Sequence, residues 1–257
     1  MLDRTALICD GSFEGLLTAV FEAYSRRPMP QDILEPNGQP RLDTRYETVV
    51  TDAAKAERVR RGICRQMGRE AYENCWKAFL SLHPDRCMRI YEYLQLGFRI
   101  HERLVRSLTD HRVMAVNKLA SLVSREAGHL LQFVRFAETE TGVYYCKIEP
   151  TYPVLPLIMP HFVHRLNTQA FVIYDQAHAE AGLYDGKQWV VRQVEESYAP
   201  VLTAEERQYQ RLWKTFYDTV AITERINPAL RRQNMPKKYW RHLTEMQETE
   251  TKNALCR

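Results

Sequence analysis

Apolar residues recur at helical spacing through most of the first half of this chain and with a period near two in the stretch that follows. Thr5 to Cys9 is a short apolar run stopping at Asp10-Gly11, and beyond Ser12 the positions Phe13, Leu16, Leu17, Val20, Phe21 and Tyr24 share one helical face. The pattern predicts strand, turn and helix over residues 1–27, with Ser12 as N-cap and Arg26 and Arg27 at the negative end of the helix. Four prolines between Pro28 and Arg45, together with Asn37 and Gly38, predict a surface loop. A helical block is expected from about Asp52 to Ala127. Within it Ala56, Val59, Ile63 and Met67 form one buried face, and Cys87, Tyr91, Leu94, Phe98, His101, Val105 and Leu108 form a continuous seam. A lone histidine on such a seam is expected to be a hydrogen-bonded core residue, so His101 receives no chemical role.

From Leu130 the period changes. Leu131, Phe133 and Arg135 alternate with Gln132, Val134 and Phe136, a turn is expected at Glu140–Gly142, and Val143–Ile148 would return as an antiparallel hairpin. Pro150, Pro153, Pro156 and Pro160 surround a short apolar helix ending near Leu166. Strands are then expected at Ala170–Tyr174, Ala181–Tyr184 and Trp189–Val194, the last two joined through Asp185-Gly186. Thr203-Ala204-Glu205-Glu206 is a capping box opening a long helix with Tyr209, Leu212, Trp213, Phe216 and Val220 on its apolar face, which Asn227-Pro228 should stop. The expected fold is a single α+β domain over residues 1–257. It comprises a strand and helix (1–27), a helical block (52–127), a five-stranded antiparallel sheet with a covering helix (130–194), and a long C-terminal helix with a basic segment (203–247).

Composition narrows the class without naming a function. With 257 residues, 45% hydrophobic and 26% charged, the chain suits an ordinary globular protein. No window approaches the ~18 uninterrupted apolar residues of a spanning helix, and the start lacks the charged and apolar regions of a secretory signal, so a cytoplasmic protein is expected. The cysteines Cys9, Cys64, Cys75, Cys87, Cys146 and Cys256 are dispersed. They have neither zinc-knuckle spacing nor the closely spaced triplet of a radical-chemistry iron-sulfur cluster, and are expected to be reduced and mostly structural. Phosphate-binding glycine loops and serine nucleophile elbows are missing from the sequence, and neither a cofactor nor a metal is expected.

Charge is more informative. The net charge is only +4, yet Arg225 to Leu243 carries Arg225, Arg231, Arg232, Lys237, Lys238 and Arg241 with no acidic residue. Such polarised charge attracts polyanions, and Tyr239 and Trp240 among the cations suit packing on sugar or base, with Asn227 and Gln233 supplying polar contacts. A solvated helix end with a basic tail is the plainer account. A second stripe of Lys55, Arg58, Arg61, Arg65 and Arg69 lies on one helix face, diluted by Glu57; phosphate contact and simple solubility explain it equally well. Asp10 and Glu14 flank a strand-to-helix turn and are candidates for general acid or base, though helix capping accounts for both. A His-His-carboxylate metal site can be drawn from His161, His164, Asp175 and Asp185, but Pro160 interrupts the turn and Arg165 repels a cation.

Three segments, CDGSFEGLLTAVFEAY, LQFVRFAETETGVYYCKIEP and LWKTFYDTVAITERINPALRRQNMPKKYWRHL, resemble a bacterial family of DNA-metabolism and DNA-repair proteins, the likeness spanning essentially the whole chain. The resemblance implies DNA as partner, a gene neighbourhood with a radical SAM protein carrying a helix-hairpin-helix region, and a related domain joined elsewhere to a uracil-DNA glycosylase-like module. The family's motifs fall here on Asp10, Ser12, Phe13, Glu14 and Gly15, and on Trp213, Lys214, Arg225, Asn227, Pro228, Gln233, Pro236, Tyr239 and Trp240. Because the chain carries neither cluster cysteines nor a glycosylase loop, an accessory role beside a radical SAM enzyme is the first expectation. The alternatives are a base-modifying or base-excising enzyme using Asp10 or Glu14, and a docking module without direct DNA contact.

Overall fold

Residues 4–36, 38, 44–194, 200–222, 225 and 227–247 are described by a computed structural model of the chain. Contacts divide it after Ser124 into two compact units. The first is built on β1 (Arg4–Ile8), whose Ala6 and Leu7 are fully buried between two parallel neighbours, β2 (Asp32–Leu34) and β3 (Thr44–Thr48). Parallel strands need a crossover. Here α1 (Phe13–Ser25) supplies it between β1 and β2, and the Ser12 hydroxyl caps it by accepting from the Gly15 N–H at 2.9 Å. The segment expected as loop therefore contains a strand: the fully buried Ile33 pairs with Leu7, and its prolines flank that strand rather than replace it. Asn37, residues 39–43 of that stretch and Cys256 lie outside the described residues.

The helical block consists of α2 (Ala53–Met67), α3 (Arg69–Leu80), α4 (Arg86–Ile100) and α5 (His111–Phe133). Asp52 caps α2 through two backbone N–H groups, and Ala56, Val59, Ile63 and Met67 are buried as their spacing predicts. Gly68 separates α2 from α3 at φ 91°, a conformation that suits glycine. The expected seam to Leu108 is broken. His101 adopts φ 55° and ends α4, a 3-10 turn follows over His101–Arg106, and both His101 and Leu108 are exposed. His101 is thus a helix terminator at the surface rather than a core residue.

The second unit holds a five-stranded sheet in the order β4 (Ala137–Glu138), β5 (Tyr144–Ile148), β6 (Phe171–Asp175), β7 (Glu180–Tyr184) and β8 (Trp189–Gln193). It is mixed, not antiparallel throughout, because β5 and β6 run parallel and are connected by α6 (Leu155–Arg165). The remaining pairs are antiparallel. Alternation along the chain fixes which face a side chain takes but not the direction of its neighbour. The helix α5 also overruns the expected hairpin, since residues Leu130 to Phe133 continue it and leave a strand of only two residues. Pro160 removes one backbone donor inside α6, yet the helix persists because Leu155, Ile158, Met159 and Phe162 bury one face. A Cβ on Gly182 of β7 would come within 2.5 Å of the Met159 sulfur, which shows how closely α6 lies on the sheet.

The C-terminal helix α7 (Ala204–Val220) is capped as expected, with the Thr203 hydroxyl accepting from the Glu206 N–H. Its apolar stripe is not in a core: Tyr209, Leu212, Trp213, Phe216 and Val220 are all exposed. After it come α8 (Pro228–Asn234) and a 3-10 segment, Lys237–His242. No helix among the described residues is long and apolar enough to cross a membrane.

Candidate nucleic-acid interface

The basic segment divides into cations held by carboxylates and cations that are not. Lys238 Nζ donates to both oxygens of Glu126, at 2.7 and 2.6 Å, and to the Thr151 hydroxyl at 3.0 Å. Glu126 also accepts from the Thr151 N–H and is 6% exposed, so Lys238 neutralises a buried acid. Arg241 donates to Glu149 at 2.5 Å, and His242 lies 3.3 Å from the other oxygen of that carboxylate. Tyr239 is buried, its ring packed against His129 and Phe133 at 5.7 and 5.4 Å. Each of these was expected at a nucleic-acid surface. Lys238 and Arg241 instead serve as ion-pair partners, and Tyr239 has no free face on which a base could stack.

The other group remains in solvent. Arg225, Arg231, Arg232 and Lys237 are exposed and have no carboxylate partner among the described residues. Trp240 is half-buried, donates its indole N–H to the Met235 carbonyl at 2.9 Å, and is flanked by Arg231 at 5.1 Å and Lys237 at 5.9 Å from its ring. It therefore holds two cations by cation–π attraction and presents charge more than ring. Asn227 caps α8 by accepting from the Leu230 N–H at 3.0 Å, so its amide positions Arg231 and Arg232 on that helix, while Gln233 is exposed. A carboxylate anchors the end of this segment. Glu245, 5% exposed, accepts from Arg135 at 2.8 Å and from the Trp213 indole at 3.2 Å, tying this segment to α7. Burial raises the Glu245 carboxyl, but Arg135 and Trp213 outweigh that and hold it below the ordinary range.

The secondary stripe is partly compensated. Arg61 and Arg69 pair with Glu57 and Glu73 at 3.2 and 2.8 Å, Arg58 lies 5.5 Å from the Phe21 ring, and Arg58 and Arg65 have no carboxylate partner among the described residues. Lys55 is committed to Glu22 at 2.7 Å.

The candidate acid or base is engaged elsewhere. Asp10 accepts from the Ser12 N–H and hydroxyl through one oxygen and from the Thr51 hydroxyl through the other, at 2.9, 2.7 and 2.7 Å. The Ser12 and Thr51 hydroxyls hold its carboxyl below the usual range, which makes it a poor proton acceptor near neutrality and a good fastener of the turn after β1. Glu14 is exposed in the first turn of α1, where it complements the helix dipole. The residues of the drawn metal site have other partners: Asp175 is fully buried and binds His178 at 2.7 Å, Asp185 accepts from the Lys187 and Gln188 N–H groups at its turn, and His161 and His164 are exposed on α6.

Among the described cysteines, hydrogen bonding with Cys87 outweighs burial and holds the Cys9 thiol below its ordinary range. Cys9, Cys75, Cys87 and Cys146 are buried; Cys87 donates to Glu35 at 3.3 Å, and burial pushes the Cys146 thiol up to about 12. The apolar face of α7 was legible in the sequence, but its exposure to solvent was not. Trp213 and Phe216 stack at 5.8 Å on its exposed side.

No curated protein matches the chain. A family model described as a domain of unknown function, DUF4130, matches residues 84–245, more than half of the sequence and all of the second unit up to Glu245. The chain belongs to the DUF4130 domain family.

Proposed function

We propose that this protein is a nucleic-acid-binding accessory to a DNA-modifying or DNA-repair enzyme, with a radical SAM protein as its partner. One observation carries the reading: Arg225, Arg231, Arg232 and Lys237 stand in solvent without carboxylates among the described residues, while their neighbours Lys238 and Arg241 are consumed by acids. Exposed cations without a carboxylate partner keep their charge available to a phosphate, which the paired ones do not. The resemblance to DNA-metabolism proteins points the same way, and Asp10, engaged by Ser12 and Thr51, is better suited to fastening its turn than to acting as a general base.

A docking role is the second reading, favoured by the exposed stripe Tyr209, Leu212, Trp213, Phe216 and Val220, since apolar patches rimmed by polar residues mark contact sites. Assays of damaged DNA with the radical SAM partner, with this protein, and with both separate these readings. The accessory reading predicts turnover only in the presence of the enzyme, enhanced by this chain and reduced when Arg231 and Arg232 become alanine. Turnover by this chain alone refutes it, and enhancement insensitive to those substitutions but lost with Trp213→Ser and Phe216→Ser supports docking.

A further inference from the structure

We infer that the cleft beside α7 in the second unit binds a single unpaired nucleobase with its phosphate. The cleft has a volume of about 560 Å³, within the ~300–1,000 Å³ typical of small-molecule sites. Its walls are aromatic and its rim is charged, a combination that suits neither a lipid nor a simple anion. Phe136 and Phe162 form one wall, fixed edge-to-face at 5.3 Å, with Phe136 braced on Phe171 at the same distance. Tyr209 and Trp213 form part of the other, and they are 69% and 44% exposed, so ring area is available. The Trp213 indole is pre-oriented by its bond to Glu245 and by Phe216 behind it, which lowers the ordering cost of stacking a base there.

The polar lining indicates which edge is recognised. Gln210 donates its amide N–H to one oxygen of Glu206 at 2.7 Å, and both residues line the cleft; the Gln210 carbonyl oxygen and the second Glu206 oxygen have no hydrogen-bond partner among the described residues and remain as acceptors. Two acceptors in an aromatic cleft complement a base edge bearing an exocyclic amine, as in adenine, guanine and cytosine. Arg165, the last residue of α6, lines the same cleft, is exposed, and has no carboxylate partner among the described residues; it is the phosphate contact. Arg135 is occupied by Glu245 and holds the cleft's shape.

The base is supplied either as a free mononucleotide or from a strand, and only the second source rests on the nucleic-acid reading above. The four deoxynucleoside monophosphates and a single-stranded oligonucleotide of mixed sequence are titrated against the purified full chain by isothermal titration calorimetry. Binding of dAMP, dGMP or dCMP more tightly than dTMP, with Glu206→Gln abolishing the preference and Arg165→Ala weakening affinity about tenfold, supports the inference with a free nucleotide as source. Binding of the oligonucleotide alone, lost in Trp213→Leu and Arg165→Ala but retained in the Arg231→Ala, Arg232→Ala double variant, supports it with a strand as source. No saturable response to any of these ligands overturns it, as does binding that Trp213→Leu and Arg165→Ala leave unchanged while circular dichroism shows both variants folded. Loss of oligonucleotide binding in the Arg231→Ala, Arg232→Ala variant with mononucleotide binding intact assigns the two sites separately and leaves the cleft standing.

Discussion

Two adjacent lysines show how a single residue's surroundings decide its role. Lys237 and Lys238 are indistinguishable by type and by local sequence, yet one faces solvent beside Trp240 and the other meets Glu126, 112 positions earlier in the chain. Removing Lys238 leaves a nearly buried carboxylate with fewer donors, a loss on the order of 1–3 kcal/mol. Lys238→Ala should therefore lower the melting temperature by several degrees in a thermal scan while leaving DNA affinity little changed, and Arg232→Ala should do the reverse. A Lys238→Ala variant that melts like the wild type but loses DNA binding would return Lys238 to the interface. The sequence announced that the segment was basic. It did not announce which cations were spent, because that depends on acids brought close only by folding, as Glu149 is to Arg241 and Glu245 to Arg135.

Elements were legible where periodicity and punctuation agreed. The helix α2 follows from the spacing of Ala56, Val59, Ile63 and Met67, and β7 and β8 follow from apolar runs around Asp185-Gly186. The three-residue β2 escaped because so short a parallel strand shows no alternation, and the parallel sense of β5 and β6 escaped because pleat periodicity is the same in either direction. The stripe on α7 was legible as a face, but a face has the same pattern whether a core or a partner covers it. Where α6 meets β7, Gly182→Ala should cost about 1–3 kcal/mol by forcing Met159 aside, detected as a lower urea midpoint with unchanged slope. The tether of α7 to Glu245 is pH-sensitive. A depressed folded pKa means that Glu245 contributes stability above its ordinary value of 4.5 and loses it as the pH falls through the folded value. The gap in melting temperature between wild type and Glu245→Gln should accordingly be full near neutrality and shrink on acidification below pH 4.5; a gap that widens would contradict the assigned ion pair.

At the scale of the whole molecule a net charge of +4 conceals an uneven distribution, and the second unit gathers uncompensated cations, an exposed aromatic stripe and an aromatic cleft within the part matched by the DUF4130 family. The account depends on those cations engaging polyphosphate, and the salt dependence of DNA affinity tests that most directly. For wild type and for the variant with Arg225, Arg231, Arg232 and Lys237 changed to alanine, the logarithm of affinity is measured against the logarithm of salt concentration. Each lost contact should flatten the slope by about 0.9 on duplex DNA or about 0.7 on a single strand, whereas Lys238→Ala and Arg241→Ala should leave it nearly unchanged. Equal slopes for wild type and the quadruple variant would contradict the account.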